Sequence, residues 1–437
     1  MKKQVAVLGS VAILAGGILA GCGESGTKTG DASTASPGTS PAVTGAKGEK
    51  VKLTMYSWRP EDKEGYEKII AEFKKENPDI DVEFKPFKST EYNTILGNTL
   101  QSGTGVDIFQ LRPYDGAKAI ADAGYLLPVD GVKGIENIPA AYQDAARGTD
   151  NKVYGIPFML NNAVVFYNKK LFQDNNIQVP ETWEEFVKVC ETLKSKNIIP
   201  VAQSGKAAYL LSMTHAVLGP SAYGGNEFVS SVLKGATNFK DAKFVDSIKR
   251  MKQMETFFPK DFVALEDKDA QALFYTGKAA MYINGSHRLE TFEANKLAFE
   301  VDYFPGLSAQ KGQPAQIATW VDGSYGVAKS TKHKDQAMKF IEFIASNKFG
   351  QAFSDQLTRV SPIKGVAPKN ELLKRMAEQS EKSSTPYLML TNFSQGTPTT
   401  KTTFEDSLQG MYIGKLTPEK VAEDTQASAD KWFKPAK

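Results

Sequence analysis

Two adjacent carboxamides, Asn161 and Asn162, interrupt a run from Gly155 to Phe172 that is otherwise apolar, β-branched and aromatic. Such a run predicts one buried strand or a pair of strands. Burying two carboxamides there costs several kcal/mol unless each finds hydrogen-bond partners. The partners are either backbone groups at a bulge or turn, or a polar ligand at a crossover whose amides face a cleft. Two further loops hold groups of the same kind. Trp58-Arg59-Pro60 and the stretch from Gln110 through Arg112 to Asp115 follow predicted strands, and ligands of open α/β sheets gather at carboxyl ends of strands. Asn284 to His287 is a polar turn closing another strand, and Trp320 to Gly326, with Asp322, lies at the centre of a longer one. The chemistry offered is donors, acceptors and aromatic faces. No reaction centre assembles from it. His215, His287 and His333 have no metal-ligand spacing, no Gly-x-Ser-x-Gly elbow occurs, and Gly103-Thr-Gly105 is too short for a phosphate loop and lacks its lysine.

The elements that position these groups alternate. Val51 to Ser57 reads as a strand, and Tyr66, Ile69, Ile70 and Phe73 mark one face of a helix that Asn77-Pro78 stops. Ile80 to Phe84, a helix from about 90 to 101, and Val106 to Leu111 complete β-α-β-α-β, which predicts a mostly parallel sheet with helices on both faces. Beyond the amide pair, Thr182 and Glu185 form a capping box, which makes Trp183 a structural helix-start residue. Ile198 to Ala202 is a strand, followed by helices over 209–218, near 241–257 and over 268–276. Strands follow at 277–287, 301–304 and 317–328, then a helix over 336–344 and a mainly helical remainder in which Trp432 and Phe433 dock the last helix. Cys190, at helical spacing with Phe186, reads as core, and Asp107 as a strand-end structural carboxylate.

A chain of 437 residues exceeds one ordinary core, so two lobes are expected. Its 41% hydrophobic and 24% charged content is that of a soluble globular protein, and 53 basic against 50 acidic residues excludes a nucleic-acid binder. The beginning is a separate object. Lys2 and Lys3, an apolar run from Val5 to Leu19, and Leu19-Ala20-Gly21-Cys22 form an export signal. The tetrad resembles the lipobox of bacterial lipoproteins, which implies cleavage after residue 21 and acyl chains on Cys22 that anchor the protein to a membrane. Residues 22–50 are mostly small and polar after the cysteine, a flexible tether of about 30 Å root-mean-square reach.

Taken in order, the motifs resemble an extracellular solute-binding protein of the carbohydrate-uptake type, in the maltose-binding-protein superfamily that serves ABC importers. The pieces are the lipobox, the first strand and its helix, Val106-Asp107-Ile108-Phe109, Tyr154-Gly155-Ile156-Pro157, Tyr167-Asn168-Lys169 and Pro180-Glu-Thr-Trp183. Gly277-Lys-Ala-Ala-Met281 with Asn284-Gly285, and the helix from Ala337, complete them. The resemblance implies an α/β, two-lobed periplasmic-binding-protein-like fold with a hinge and an interlobe ligand cleft. Lobe one would be 51–160 plus 306–352, and lobe two 161–305 plus 353–437. It also implies a monomer, without enzymatic activity, cofactor or metal, that hands its ligand to permease subunits.

Position by position, the resemblance places Asn161 and Asp115 at sugar contacts, Arg112 where the family has an aromatic, and His287 where it has a stacking tryptophan. Trp58, Arg59, Trp320 and Asp322 fall in cleft-lining loops. Sugars present CH-rich faces that lie on rings and hydroxyls that need paired donors and acceptors. Trp58, Tyr209 and Trp320 are therefore expected to supply faces, and Asp115, Asp322, Asn161, Asn162 and Arg59 the bonds, with Gln110 and Asn284 beside them. His287 has a second reading as the cap of the next helix. Two other functions stay open at this point. One is a secreted carbohydrate-active enzyme built on paired carboxylates. The other is a binder of a non-sugar solute, a uronate or sulfated sugar included, paired with Arg112.

Overall fold

The computed structural model describes residues 50–435. Its strands are β1 (Val51–Ser57), β2 (Ile80–Pro86), β3 (Ile108–Leu111), β4 (Ile156–Asn168), β5 (Ile199–Ala202), β6 (Ala279–Gly285), β7 (Val301–Phe304), β8 (Ile317–Val327) and β9 (Ser384–Pro386). They run in the order β2-β1-β3-β8-β4-β6-β5, with β7 added on β4 and β9 on β8. The opening β-α-β-α-β unit forms as expected, with α1 (Lys63–Glu76) and α2 (Ser89–Ser102) between parallel strands. The expectation of a mostly parallel sheet does not hold. β3–β8, β4–β8, β4–β6 and β4–β7 are all antiparallel, because two long strands, β4 and β8, run in opposite directions through the middle.

The apolar faces of these elements collect on either side of those two strands. Tyr66, Phe73, Phe158, Tyr325, Phe340 and Phe353 form one core, in which Tyr66 stacks on Phe84. Phe186, Cys190, Phe244, Phe304 and Phe404 belong to another, and Phe166, Phe274 and Phe292 to a third. Each fully buried aromatic contributes about 1.5–3 kcal/mol from the water it sheds. β8 is shared. Ile317, Ala318, Trp320 and Val321 pack in the second and third cores, Tyr325 and Val327 in the first. Helices Lys334–Ile344 and Asn347–Leu357 return to the first core, and the helices of 371–429 to the others.

Several local expectations gain physical detail. Cys190 and Trp183 are buried in the core, and Arg250 covers the Trp183 ring. Thr182 Oγ1 accepts from the Glu185 amide at 3.4 Å, but the Glu185 carboxylate returns to the Glu181 amide at 2.9 Å, one residue short of a capping box. Asp107 accepts from the Thr54 amide and from Thr331 Oγ1, tying β3 to its surroundings. Trp432 packs beside Phe393 and donates to Thr400 Oγ1 at 2.9 Å. The export signal, Cys22 and all but the last residue of the tether lie outside the described residues. Among the described residues, no helix is long and apolar enough to cross a membrane.

Candidate functional site

The stretch from Gly155 to Phe172 holds one uninterrupted strand, β4, with every residue buried. Consecutive strand residues point to opposite faces, so Asn161 and Asn162 cannot both face one cleft. Asn162 is the inward one. Its Nδ2 donates to Thr319 Oγ1 at 2.9 Å and to Ser380 Oγ at 2.7 Å, joining β8 to the helix Glu371–Ser383. Asn161 pairs across the ladder with Trp320, and its side chain takes a single long bond, 3.4 Å from Ser286 Oγ. That amide keeps most of its capacity for a partner.

The irregularity in the ladder falls beside the amides. Met159 pairs with Gly323 and Leu160 with Val321, which leaves Asp322 as an extra residue in β8 and Phe158 as one in β4. Such bulges re-aim side chains. Asp322 thereby meets Arg59, with which it forms an ion pair. Gly323 is required by close approach: a Cβ there would lie 2.7 Å from the Phe158 ring and 2.8 Å from the Trp58 ring. Burial alone would raise the Asp322 carboxyl, but Arg59 and His287 outweigh it and hold the group below the usual carboxylate range. His287 occupies the N-cap position of the helix Arg288–Asn295 but makes no side-chain capping bond. Burial, with Arg288 nearby, lowers its pKa to about 4, so the ring is neutral at pH 7.

On the edge of β8 away from β4, β9 covers Ile317 to Thr319 and β3 covers Ser324 to Val327. Among the described residues no strand pairs with Trp320 to Gly323 on that side. The Val321 amide there is taken by the Tyr114 hydroxyl at 3.1 Å. Tyr114 precedes α3 (Asp115–Asp122) at φ 59°, a left-handed conformation that is unfavourable for a residue with a large side chain. Beside this gap is a cavity of about 370 Å³, lined by Tyr114, Asp115, Trp320 and, from the far side, Thr385, Asn392 and Gln395. Thr385 Oγ1 and Asn392 Oδ1 are buried and without a hydrogen-bond partner among the described residues, so the cavity wall carries unspent polar groups. Burial raises the Asp115 carboxyl, with Gln395 and Lys118 opposing. Trp320 is 5% exposed, held edge-on by Tyr387, whose hydroxyl bonds Ser212 in a network that ends on Glu405.

A second cavity, of about 530 Å³, is lined by Trp58, Arg59, Arg112 and Asp322 with the start of α2. Trp58 is not an open platform in this structure. It is 4% exposed, with Arg112 lying 4.2 Å over its ring and Tyr92 against it edge-on. Gln110 is set behind it. Its Oε1 accepts from Ser57 Oγ at 2.9 Å and from the Trp58 amide at 3.1 Å, and its Nε2 donates to Tyr325 at 2.7 Å. Tyr209 and Asn284 line neither cavity; they belong to a separate polar cluster. Tyr209, 39% exposed, donates to Asp267 at 3.1 Å, Tyr282 does so at 3.0 Å, and Arg288 bridges Asp267 to Asn284.

Residues 57–351 match the family described as bacterial extracellular solute-binding protein, and the chain belongs to that family. It is 26% identical over 329 residues to the multiple sugar-binding protein of Streptococcus mutans, covering 74% of this chain and 77% of that one. It is 24% identical to the galactooligosaccharide-binding protein of Bacillus subtilis, covering 88% and 90%. Among solved structures, a chitin oligosaccharide binding protein superposes with a TM-score of 0.71 at 28% identity, covering 88% of this chain and 99% of that one. A family 1 extracellular solute-binding protein from Bifidobacterium longum subsp. infantis gives 0.72 at 20% identity, with 88% and 100% covered, and speaks for the two-lobed fold alone.

Proposed function

We propose that this chain is the substrate-binding subunit of an ABC importer, capturing an oligosaccharide in the cleft along the free edge of β8 and passing it to a membrane permease. One observation carries the reading. Between β9 and β3 no strand among the described residues pairs with that edge of β8, and beside that gap Asp115 and Trp320 line one cavity while Arg59 and Asp322 line another. The names of the relatives, for multiple sugars, galactooligosaccharide and chitin oligosaccharide, support a sugar as the ligand. The cavity chemistry supports it too, since an edge of Trp320, the Asp115 carboxyl and the unpartnered Thr385 and Asn392 oxygens line it. The protein binds without turning its ligand over.

The expected lobes are 51–160 plus 306–352 and 161–305 plus 353–437, but the core packing favours a crossing within β8 rather than at 306, and a return beyond Ile363 rather than at 352, since Phe353, Leu357 and Ile363 pack in the first core. Ligand favours closure because only the closed state contacts it from both lobes. Lipid on Cys22 anchors the monomer to the outer face of the cell membrane. A thermal-shift screen of the purified protein against oligosaccharides, acidic sugars, amino acids and phosphate tests the reading. A ligand at a hundred times its Kd adds about 2.7 kcal/mol of stability. Stabilisation by one glycan class is expected; stabilisation by an amino acid or phosphate alone would overturn the sugar assignment.

A further inference from the structure

The second cavity differs in charge from the first. Its wall carries three cations, Arg59, Lys88 and Arg112, against two carboxylates, Glu61 and Asp322. Arg59 is engaged by Asp322 and lies 3.6 Å from Glu61, and Lys88 lies 3.7 Å from Glu91. Arg112 is different. Its guanidinium rests on the Trp58 ring and donates through Nη2 to Ser89 O at 3.2 Å and Ser89 Oγ at 2.7 Å, and it forms no ion pair with any described residue. One cation is therefore half-buried, fixed in orientation and without a direct ion-pair partner, Asp322 acting on it only from a distance. A stacked arginine with Nε and Nη1 unspent keeps single donors for an oxyanion, while Nη2, which both guanidinium forks share, is held by Ser89. The first turn of the 14-residue α2 opens onto the same cavity at Ser89 and Thr90, and its N-cap, Lys88, supplies no side-chain acceptor to the first-turn amides. Free amides and the helix dipole there add to the attraction for negative charge.

We infer that this cavity is an anion subsite, so that the captured glycan carries a carboxylate or sulfate which Arg112 receives while its neutral rings lie along β8. This rests on the reading of the protein as a glycan receptor. Trp58 then acts as the support that orients Arg112, not as a sugar platform, and Gln110 fixes Trp58 through its amide. Sulfate and carboxylate share the recognition chemistry, and the probes separate them.

The test is calorimetric titration of the full chain in detergent with a uronic-acid disaccharide, its carboxyl-reduced neutral counterpart and a sulfated disaccharide. At least one acidic probe is expected to bind ten-fold or more tightly than the neutral one, with the ratio shrinking between 50 and 500 mM salt (roughly the range over which screening lengths fall several-fold). Arg112→Gln should bring that ratio to within two-fold, and Arg112→Lys should retain part of it, with thermal melting confirming that both variants fold. Equal affinity for acidic and neutral probes, or an unchanged ratio in Arg112→Gln, overturns the inference. Binding of neutral glycans alone overturns it while leaving the receptor reading intact; failure of every glycan overturns both.

Discussion

Two arginine–carboxylate pairs tie the turn after β1 to β8 and to the segment that follows Asn347–Leu357, and their surroundings differ sharply. Arg359 gives Nη1 to both oxygens of Asp62, at 2.7 and 2.6 Å, with side chains only 4% and 1% exposed, and reaches Glu290 at 3.1 Å. Arg59 and Asp322 are 14% and 23% exposed and sit in a cavity wall. Burial would lower the Arg359 pKa, but Asp62 overrides it and raises the pKa above the usual arginine value. The first pair is sealed, so losing one member strands a buried charge. The second keeps part of its surface open to the cavity it lines. The same residue types make a sealed pin in one place and, on the proposed function, a ligand contact in the other, and burial separates the two.

The sealed pair gives the largest expected effect. Arg359→Ala should cost about 3–5 kcal/mol of stability, read by chemical denaturation. A loss below about 1 kcal/mol would mean that the pair is no pin. The adjacent amides come next. Asn162→Ala removes a donor to two buried hydroxyls and should cost about 1–3 kcal/mol. Asn161→Ala should cost well under half as much while weakening glycan binding. Equal destabilisation by both would erase the distinction between the doubly bonded and the sparsely bonded amide.

The histidines give a smaller, pH-dependent effect. His287 is held neutral down to about 4, chiefly by burial, and His215 down to about 3 by burial alone. Each folded-state pKa lies below the ordinary value of 6.5, so the unfolded chain binds the proton first. Their contribution is intact above about pH 6.5 and falls as pH drops towards the folded values, by about 1.4 kcal/mol each at pH 5.5. His287→Gln should flatten the stability profile between pH 8 and 5.5 by one such step, and an unchanged profile would contradict the neutral buried ring. Asp322→Asn should have the smallest effect on stability, about 1 kcal/mol or less for a partly exposed pair.

Much of the scaffold was legible because periodicity encodes it. Val51 to Ser57 and Val301 to Phe304 were read with the bounds the structure shows, and the helix carrying Tyr66, Ile69 and Phe73 on one face formed around them. The site was less legible. Alternation along a strand already forbids Asn161 and Asn162 from sharing a face, a constraint available from sequence once the run is taken as one strand. The bulge that frees Asp322 has no sequence signal beyond the glycine after it. Tyr114 fell within the suspected loop from Gln110 to Asp115 with nothing to single it out, and Thr385 and Asn392 went unnoticed because a three-residue strand and a short helix have no period to detect. That Arg112 stacks on Trp58 could not be read from sequence, because the contact joins residues 54 apart and only the geometry reveals it.

The central claim is that the unpaired stretch of β8 is where ligand binds. Its most direct test is titration of a stabilising oligosaccharide into wild type, Asn161→Ala and Asp322→Asn, with unfolding measured on the same samples. At least ten-fold weaker binding is predicted for both variants, about 1.4 kcal/mol or more, with one-to-one stoichiometry and folding largely preserved. Wild-type affinity in both variants would place the ligand elsewhere and contradict the account.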